Sequence, residues 1–153
     1  MKYVITVLSC VICLQLFACS NKSIRVTSTQ NNVLNTDSMK LNITVGTNTF
    51  TATLYNNTTV TAFKQRLSTT INMKELNSNE KFFDLPGKLP ANASNLGIIQ
   101  AGDLMLYGSN TLVLFYKSFA TSYSYTAMGR IDDTSGLTSA LGSGNITVRF
   151  ATQ

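Results

Sequence analysis

From Lys40 to Leu54 the side chains alternate in character. Leu41, Ile43 and Val45 are apolar while Lys40, Asn42 and Thr44 are polar, and beyond Gly46-Thr47-Asn48 the alternation resumes with Phe50, Ala52 and Leu54 against Thr49, Thr51 and Thr53. Successive side chains of an extended strand point to opposite faces. The pattern therefore predicts two half-buried strands, joined by a tight Gly-containing turn as an antiparallel hairpin. Each has one greasy face that the rest of the chain must cover.

The remainder supplies mostly more strands. Thr58 and Thr59 can cap a helix ahead of Val60, Phe63 and Leu67, whose spacing puts them on one face with Lys64 and Arg66 outside. This helix is expected to end near Thr70. Ile71, Met73 and Leu76 then mark a third strand, and after Asn77-Ser78-Asn79 residues 81–85 mark a fourth. Pro86-Gly87 and Pro90 break regular structure, and residues 91–101 read as a long loop. Residues 104–107 and 111–116 are strands around Gly108-Ser109-Asn110, the second apolar enough to be buried on both faces. A loop rich in Ser and Tyr covers residues 118–125, and a strand follows over 126–131. Asp132-Asp133-Thr134 are expected to cap a short helix through Leu137 and Leu141, closed by Gly142 or Gly144 before a last strand over 146–150. About eight strands and two short helices make a mainly β chain, folded as a closed or nearly closed antiparallel barrel with the helices over its ends.

The start of the chain has a different logic. After Lys2 an apolar stretch runs from Tyr3 to Ala18, about 16 residues, short of the roughly 20 that a bilayer-crossing helix needs and diluted by Ser9 and Gln15. Leu16-Phe17-Ala18-Cys19 ends it with a small residue before a cysteine, and this resembles the lipobox of bacterial lipoproteins. The resemblance implies a signal peptide over residues 1–18 and lipidation of Cys19. It places the protein outside the cytoplasm, anchored to a bacterial membrane by acyl chains at about 0.8 kcal/mol per buried CH₂. Residues 19–38, rich in Asn, Ser and Thr, read as a flexible tether with an r.m.s. reach of roughly 24 Å, and residues 39–153 as the folded domain. Cys10 and Cys13 would leave with the signal and Cys19 would be a thioether, so no disulfide supports the domain.

Composition removes much chemistry. The chain has no histidine and no tryptophan, so imidazole bases and His-rich zinc sites are ruled out. No metal or cofactor is expected. The carboxylates are few: Asp37, Glu75, Glu80, Asp84, Asp103, Asp132 and Asp133. Asp132 and Asp133 read as helix caps and Asp103, after Gly102, as a turn or bulge residue. The formal net charge of +5 comes from scattered lysines and arginines without a basic cluster, so no nucleic-acid footprint is expected.

Several motifs, taken in order, resemble the bacterial cyclophilin-like proteins. They are Glu80-Lys81-Phe82-Phe83-Asp84-Leu85-Pro86, Gly102-Asp103-Leu104, Leu112-Val113-Leu114-Phe115-Tyr116, Met128-Gly129-Arg130-Ile131 and Ile146-Thr147-Val148-Arg149-Phe150. The resemblance implies an eight-stranded cyclophilin-like barrel over the whole domain, with a helix at each open end. It also implies where activity would lie. Active cyclophilins place an arginine just before a Pro-Gly turn, where it polarises a prolyl amide whose uncatalysed rotation barrier is about 18–20 kcal/mol. The matching stretch here, residues 82–87, has no arginine. Phe115 matches the phenylalanine of the proline pocket, the pocket histidine falls near Tyr125, and the tryptophan is missing.

No catalytic residue is therefore assigned. A binding module is expected, its groove lined by Phe83, Phe115, Tyr125 and Met128 and holding a peptide segment or a small apolar ligand. Tyr107, Tyr116, Phe119, Tyr123 and Tyr125 gather near two loops and add contact area. The alternative is a divergent envelope peptidyl-prolyl isomerase.

Overall fold

The computed structural model describes residues 39–153; the expected signal peptide, Cys19 and the tether lie outside the described residues. The elements in order are β1 (Lys40–Val45), β2 (Asn48–Leu54), α1 (Thr58–Lys64), β3 (Thr69–Leu76), β4 (Glu80–Asp84), β5 (Ser94–Asn95) and β6 (Ile98–Ile99). They continue with β7 (Asp103–Tyr107), β8 (Thr111–Phe115), β9 (Phe119–Ala120), β10 (Ser124–Ile131), α2 (Leu137–Leu141) and β11 (Ile146–Thr152).

The opening hairpin forms as its alternation dictates. Ile43 faces Phe50 and Val45 faces Asn48 across a turn in which Gly46 has a φ of 58°, a left-handed conformation that suits glycine. The sheet then closes on itself. Strands β2, β1, β11, β3, β4, β8, β7 and β10 lie side by side in that order, and β10 returns to pair with β2. Eight antiparallel strands thus form a barrel in which no ring strand keeps a free edge. Helix α1 joins the end of β2 to the start of β3, and α2 joins the end of β10 to the start of β11. Because β2 and β10 run antiparallel, the two helices close opposite ends of the barrel. Phe63 of α1 is fully buried and meets Phe150 edge to face with centroids 6.3 Å apart. Leu137 and Leu141 of α2 enter the same core.

Apolar side chains form two layers. The barrel interior holds Leu41, Ile43, Leu104, Leu106, Leu112, Leu114, Met128, Phe150 and their neighbours. A second cluster of Ile99, Met105, Val113, Phe115 and Tyr125 covers the outer face of the wall built by β7, β8 and β10. This is why residues 112–115 are buried throughout, as their continuous apolar run predicts. The cover is the β6–β9 ribbon, in which Ile98 faces Ala120 and Ile99 faces Phe119. The described ring strands, helices and both clusters belong to one compact unit, Thr36–Gln153, with an apolar core of its own.

The helix boundaries differ from expectation. Asn57, rather than Thr58 or Thr59, caps α1: its side-chain oxygen accepts from the Val60 amide at 2.9 Å, while its Nδ2 donates to the Ala127 carbonyl. The helix ends at Lys64, because the chain turns at Ser68 with a φ of 69° and Thr69 and Thr70 already pair with β11. Asp132 and Asp133 do not cap α2. Asp132 accepts from Lys40 and Thr53, Asp133 accepts from the Ser135 amide, and α2 begins after Gly136 without a side-chain cap. Asp103 does take its turn role, accepting from the Gln100 amide at 2.8 Å and from Arg130 Nε at 2.5 Å.

A groove on the outer barrel wall as candidate functional site

Strand parity decides what β4 presents on each face. Lys81 and Phe83 lie opposite Leu114 and Leu112, which belong to the barrel interior, whereas Glu80 and Phe82 lie opposite Phe115 and Val113 of the outer cluster. Glu80, Phe82 and Asp84 therefore border a groove on the outer wall. Its floor and near side come from β4 and the β3–β4 turn at Leu76, Asn77 and Asn79, its far side from Tyr107 and Tyr125, and its rim from residues 119–123. The volume is about 510 Å³, within the range of small-ligand sites.

Aromatic rings wall this groove in sequence. Tyr123 meets Tyr107 edge to face at 6.2 Å, Tyr107 meets Tyr125 at 5.5 Å, Tyr125 meets Phe115 edge to face at 5.4 Å and Phe115 meets Phe119 at 5.6 Å. Such offset and edge-on contacts lock rings in place. Phe115 has no exposed surface; it supports the Tyr125 and Phe119 rings from beneath.

The four residues expected to share one groove are thus divided. Tyr125 lines it and Phe115 underlies it. Phe83 packs against the interior core and Met128 is fully inside it, so these two cannot touch a ligand on the outer wall. Met128 faces inward by ordinary alternation, one residue on from Ala127 and three on from Tyr125, both of the outer cluster, so it and Tyr125 cannot share a face; the β7–β10 register shifts beside it, between Ala127 and Gly129. Glu80, Phe82 and Tyr107 take the vacated roles. Tyr107, Phe119 and Tyr123 were foreshadowed by the aromatic gathering near the loops. Glu80 carried no signal, since an acid that starts a strand reads as a surface residue.

Electrostatics set Glu80 apart. Burial, and after it the charge of Glu75, push its carboxyl up to about 7. Burial and then Glu80 raise the Tyr125 hydroxyl to about 12. Next along the strand, Lys81 is buried yet fully paired: its ammonium donates to Glu75 Oε2 and to the carbonyls of Gly142 and Gly144 at 3.0 and 2.7 Å, and it lies 5.3 Å from the Tyr116 ring centroid. Tyr116 donates to Glu75 Oε1 at 2.8 Å, so it faces this ion pair and not the groove. Burial works to raise the Glu75 carboxyl, but the hydrogen bonds from Lys81 and Tyr116 prevail and hold it below the usual carboxylate range.

No lysine or arginine lines the groove. Arg66 reaches the Pro-Gly turn from α1, but its guanidinium donates to the carbonyls of Gly87 and Lys88 at 2.8 and 3.0 Å. Arg130 is bound to Asp103. Among the described residues no group of three or more His, Cys, Asp or Glu side chains converges to hold a metal ion.

A closed antiparallel barrel of eight strands, with a helix at each end and an aromatic groove on its outer wall, defines a cyclophilin-like architecture. The chain belongs to the cyclophilin-like family, whose profile matches residues 43–151, from within β1 to within β11. No curated protein matches the chain. Among solved structures it is similar to the solution structure of the hypothetical protein AF2241 from Archaeoglobus fulgidus. The TM-score is 0.53 at 17% identity, over 76% of this chain and 95% of that one, a likeness of fold alone.

Proposed function

We propose that this barrel is a binding module of a membrane-anchored bacterial lipoprotein, held through Cys19, that takes a peptide segment or a small apolar ligand into the outer groove without isomerising prolyl bonds. The observation that carries the reading is a groove of about 510 Å³ walled by aromatic rings and lined by no lysine or arginine. The rings supply contact area at low conformational cost. Prolyl isomerisation needs a donor that stabilises the twisted amide more than the planar one, and both Arg66 and Arg130 are committed elsewhere.

Two measurements on the chain from Ser38 test this. N-phenylnaphthylamine, a neutral apolar fluorophore, is expected to bind saturably, and Phe119→Ala is expected to weaken it by about fivefold, as loss of one interface aromatic does. A Xaa-Pro test peptide is expected to isomerise at its uncatalysed rate. Isomerisation above that background, lost in Tyr125→Ala, would establish the isomerase reading instead.

A further inference from the structure

The charge of the groove is one-sided. Its ionisable lining groups are Glu80, Asp84 and the three tyrosines Tyr107, Tyr123 and Tyr125, so any charge it holds near neutral pH is negative. Asp84 is satisfied by the Thr111 hydroxyl at 2.7 Å. Glu80 is 93% buried, being 7% exposed, and its carboxylate has no hydrogen-bond or ion-pair partner among the described residues. Beside it, Asn79 Oδ1 is a buried acceptor with no donor. Buried acceptors without partners are costly and rare in native structures. Asn79 and Glu80 are adjacent in sequence, and both line the same groove.

The surrounding walls are π faces. Tyr107 and Tyr123 are substantially exposed there, although large aromatics gain by burial. At the edge of the groove the Lys74 ammonium already lies 5.8 Å from the centroid of Phe82, the distance of a cation–π contact. Lone acceptors on the floor, aromatic rings at the sides and no competing cation in the lining together complement one kind of ligand.

We propose that the groove binds a small organic cation, a protonated amine on an apolar body, with Glu80 as its counter-ion and Asn79 Oδ1 as a second acceptor for its N–H groups. This rests on the groove being the ligand site. Ammonium N–H groups would satisfy Asn79 Oδ1 and pair with the Glu80 carboxylate, and the apolar body would cover the tyrosine rings. The carboxyl of Glu80, otherwise expensive to ionise, would gain an opposite charge.

The test compares three probes that share a phenyl group and differ in charge: phenethylamine, 2-phenylethanol and 3-phenylpropanoate, titrated into the chain from Ser38 in mildly alkaline buffer and followed by NMR shifts of the tyrosine rings. The amine is expected to bind about tenfold or more tighter than the alcohol, as a charge-assisted contact predicts, with the carboxylate weakest. Glu80→Gln is expected to bring the amine to within about twofold of the alcohol. Tyr123→Leu, at a more exposed position, is expected to weaken the amine more than the alcohol. Equal binding of amine and alcohol, a preference for the carboxylate, or an amine preference that survives Glu80→Gln each overturns the cation proposal while leaving the groove a binding site. Failure of all three probes to bind overturns the groove reading as well.

Discussion

Two neighbouring side chains on β4 illustrate how differently burial treats charge. Glu80 is buried without a partner and Lys81 is buried with its ammonium fully used. For Glu80 the folded state holds its proton up to about 7, against an ordinary carboxyl value of 4.5. A raised folded value means that the native state binds more protons than the unfolded chain between those values, so this contribution to stability is complete below 4.5 and fades as the pH rises through 7. Glu75, held low, has the opposite sign and acts only below 4.5. Urea denaturation should therefore show stability falling by on the order of 2 kcal/mol from pH 4.5 to above pH 7, allowing for screening by water in the groove. Glu80→Gln should flatten this slope; a slope unchanged in that variant would mean Glu80 is not its source. Lys81 gives the complementary case. Lys81→Met keeps most of the volume but strips Glu75 of its cation and leaves the Gly142 and Gly144 carbonyls without a donor, which should cost about 2–3 kcal/mol. Adding Glu75→Gln should recover part of that loss in a double-mutant cycle, because an unpaired charge is worse than none.

At the scale of elements, β10 does the most to shape the site. It pairs with β7, β5 and β2, and closes the ring through Gly129, which faces Leu54. A Cβ at Gly129 would meet the Thr53 carbonyl oxygen at 2.6 Å and Leu54 Cδ2 at 2.8 Å, while its φ is unremarkable. Close approach alone demands glycine. Gly129→Ala should thus destabilise the barrel by about 2 kcal/mol or more, with faster hydrogen exchange at the Tyr55 amide, which donates to the Met128 carbonyl beside the seam. Unchanged exchange there would show that the seam tolerates the methyl group. The same strand marks the limit of what the sequence reveals. Alternation in β1 and β2, and the continuous apolar run of β8, announced strands and their burial because side-chain period follows backbone geometry. Those signals were sufficient for the barrel and its two helices. The bulge beside Met128 leaves no mark in the pattern, since it adds one residue to a run that is mostly apolar anyway. Nor does period two reveal which face of β4 is the inner one when Lys81 is the residue buried inside and Phe82 faces the groove. Asn57 was missed as the α1 cap because Thr58 and Thr59 are equally good capping types, and only the fold decides among them.

For the whole molecule, ring closure has a consequence for placement. All eight ring strands are paired on both sides, so the barrel offers no extended edge for strand addition and depends on its surface to meet other molecules. Its charge of +5 is scattered, and attraction to an anionic membrane surface is spread thinly without a polybasic cluster. No helix among the described residues is long and apolar enough to cross a membrane. Stable attachment would then fall to the lipid expected on Cys19. One acyl chain binds only reversibly while several bind durably, so the native chain should take up labelled palmitate and partition into the detergent phase on cloud-point separation. Cys19→Ser should take up no label. The barrel of residues 39–153 should keep its melting temperature and its groove affinities without the lipid, because the described ring strands, core and groove lining all lie within those residues. Label that persists in Cys19→Ser, or a native chain that never acquires it, would remove the membrane from this protein's function and leave the groove to act in solution.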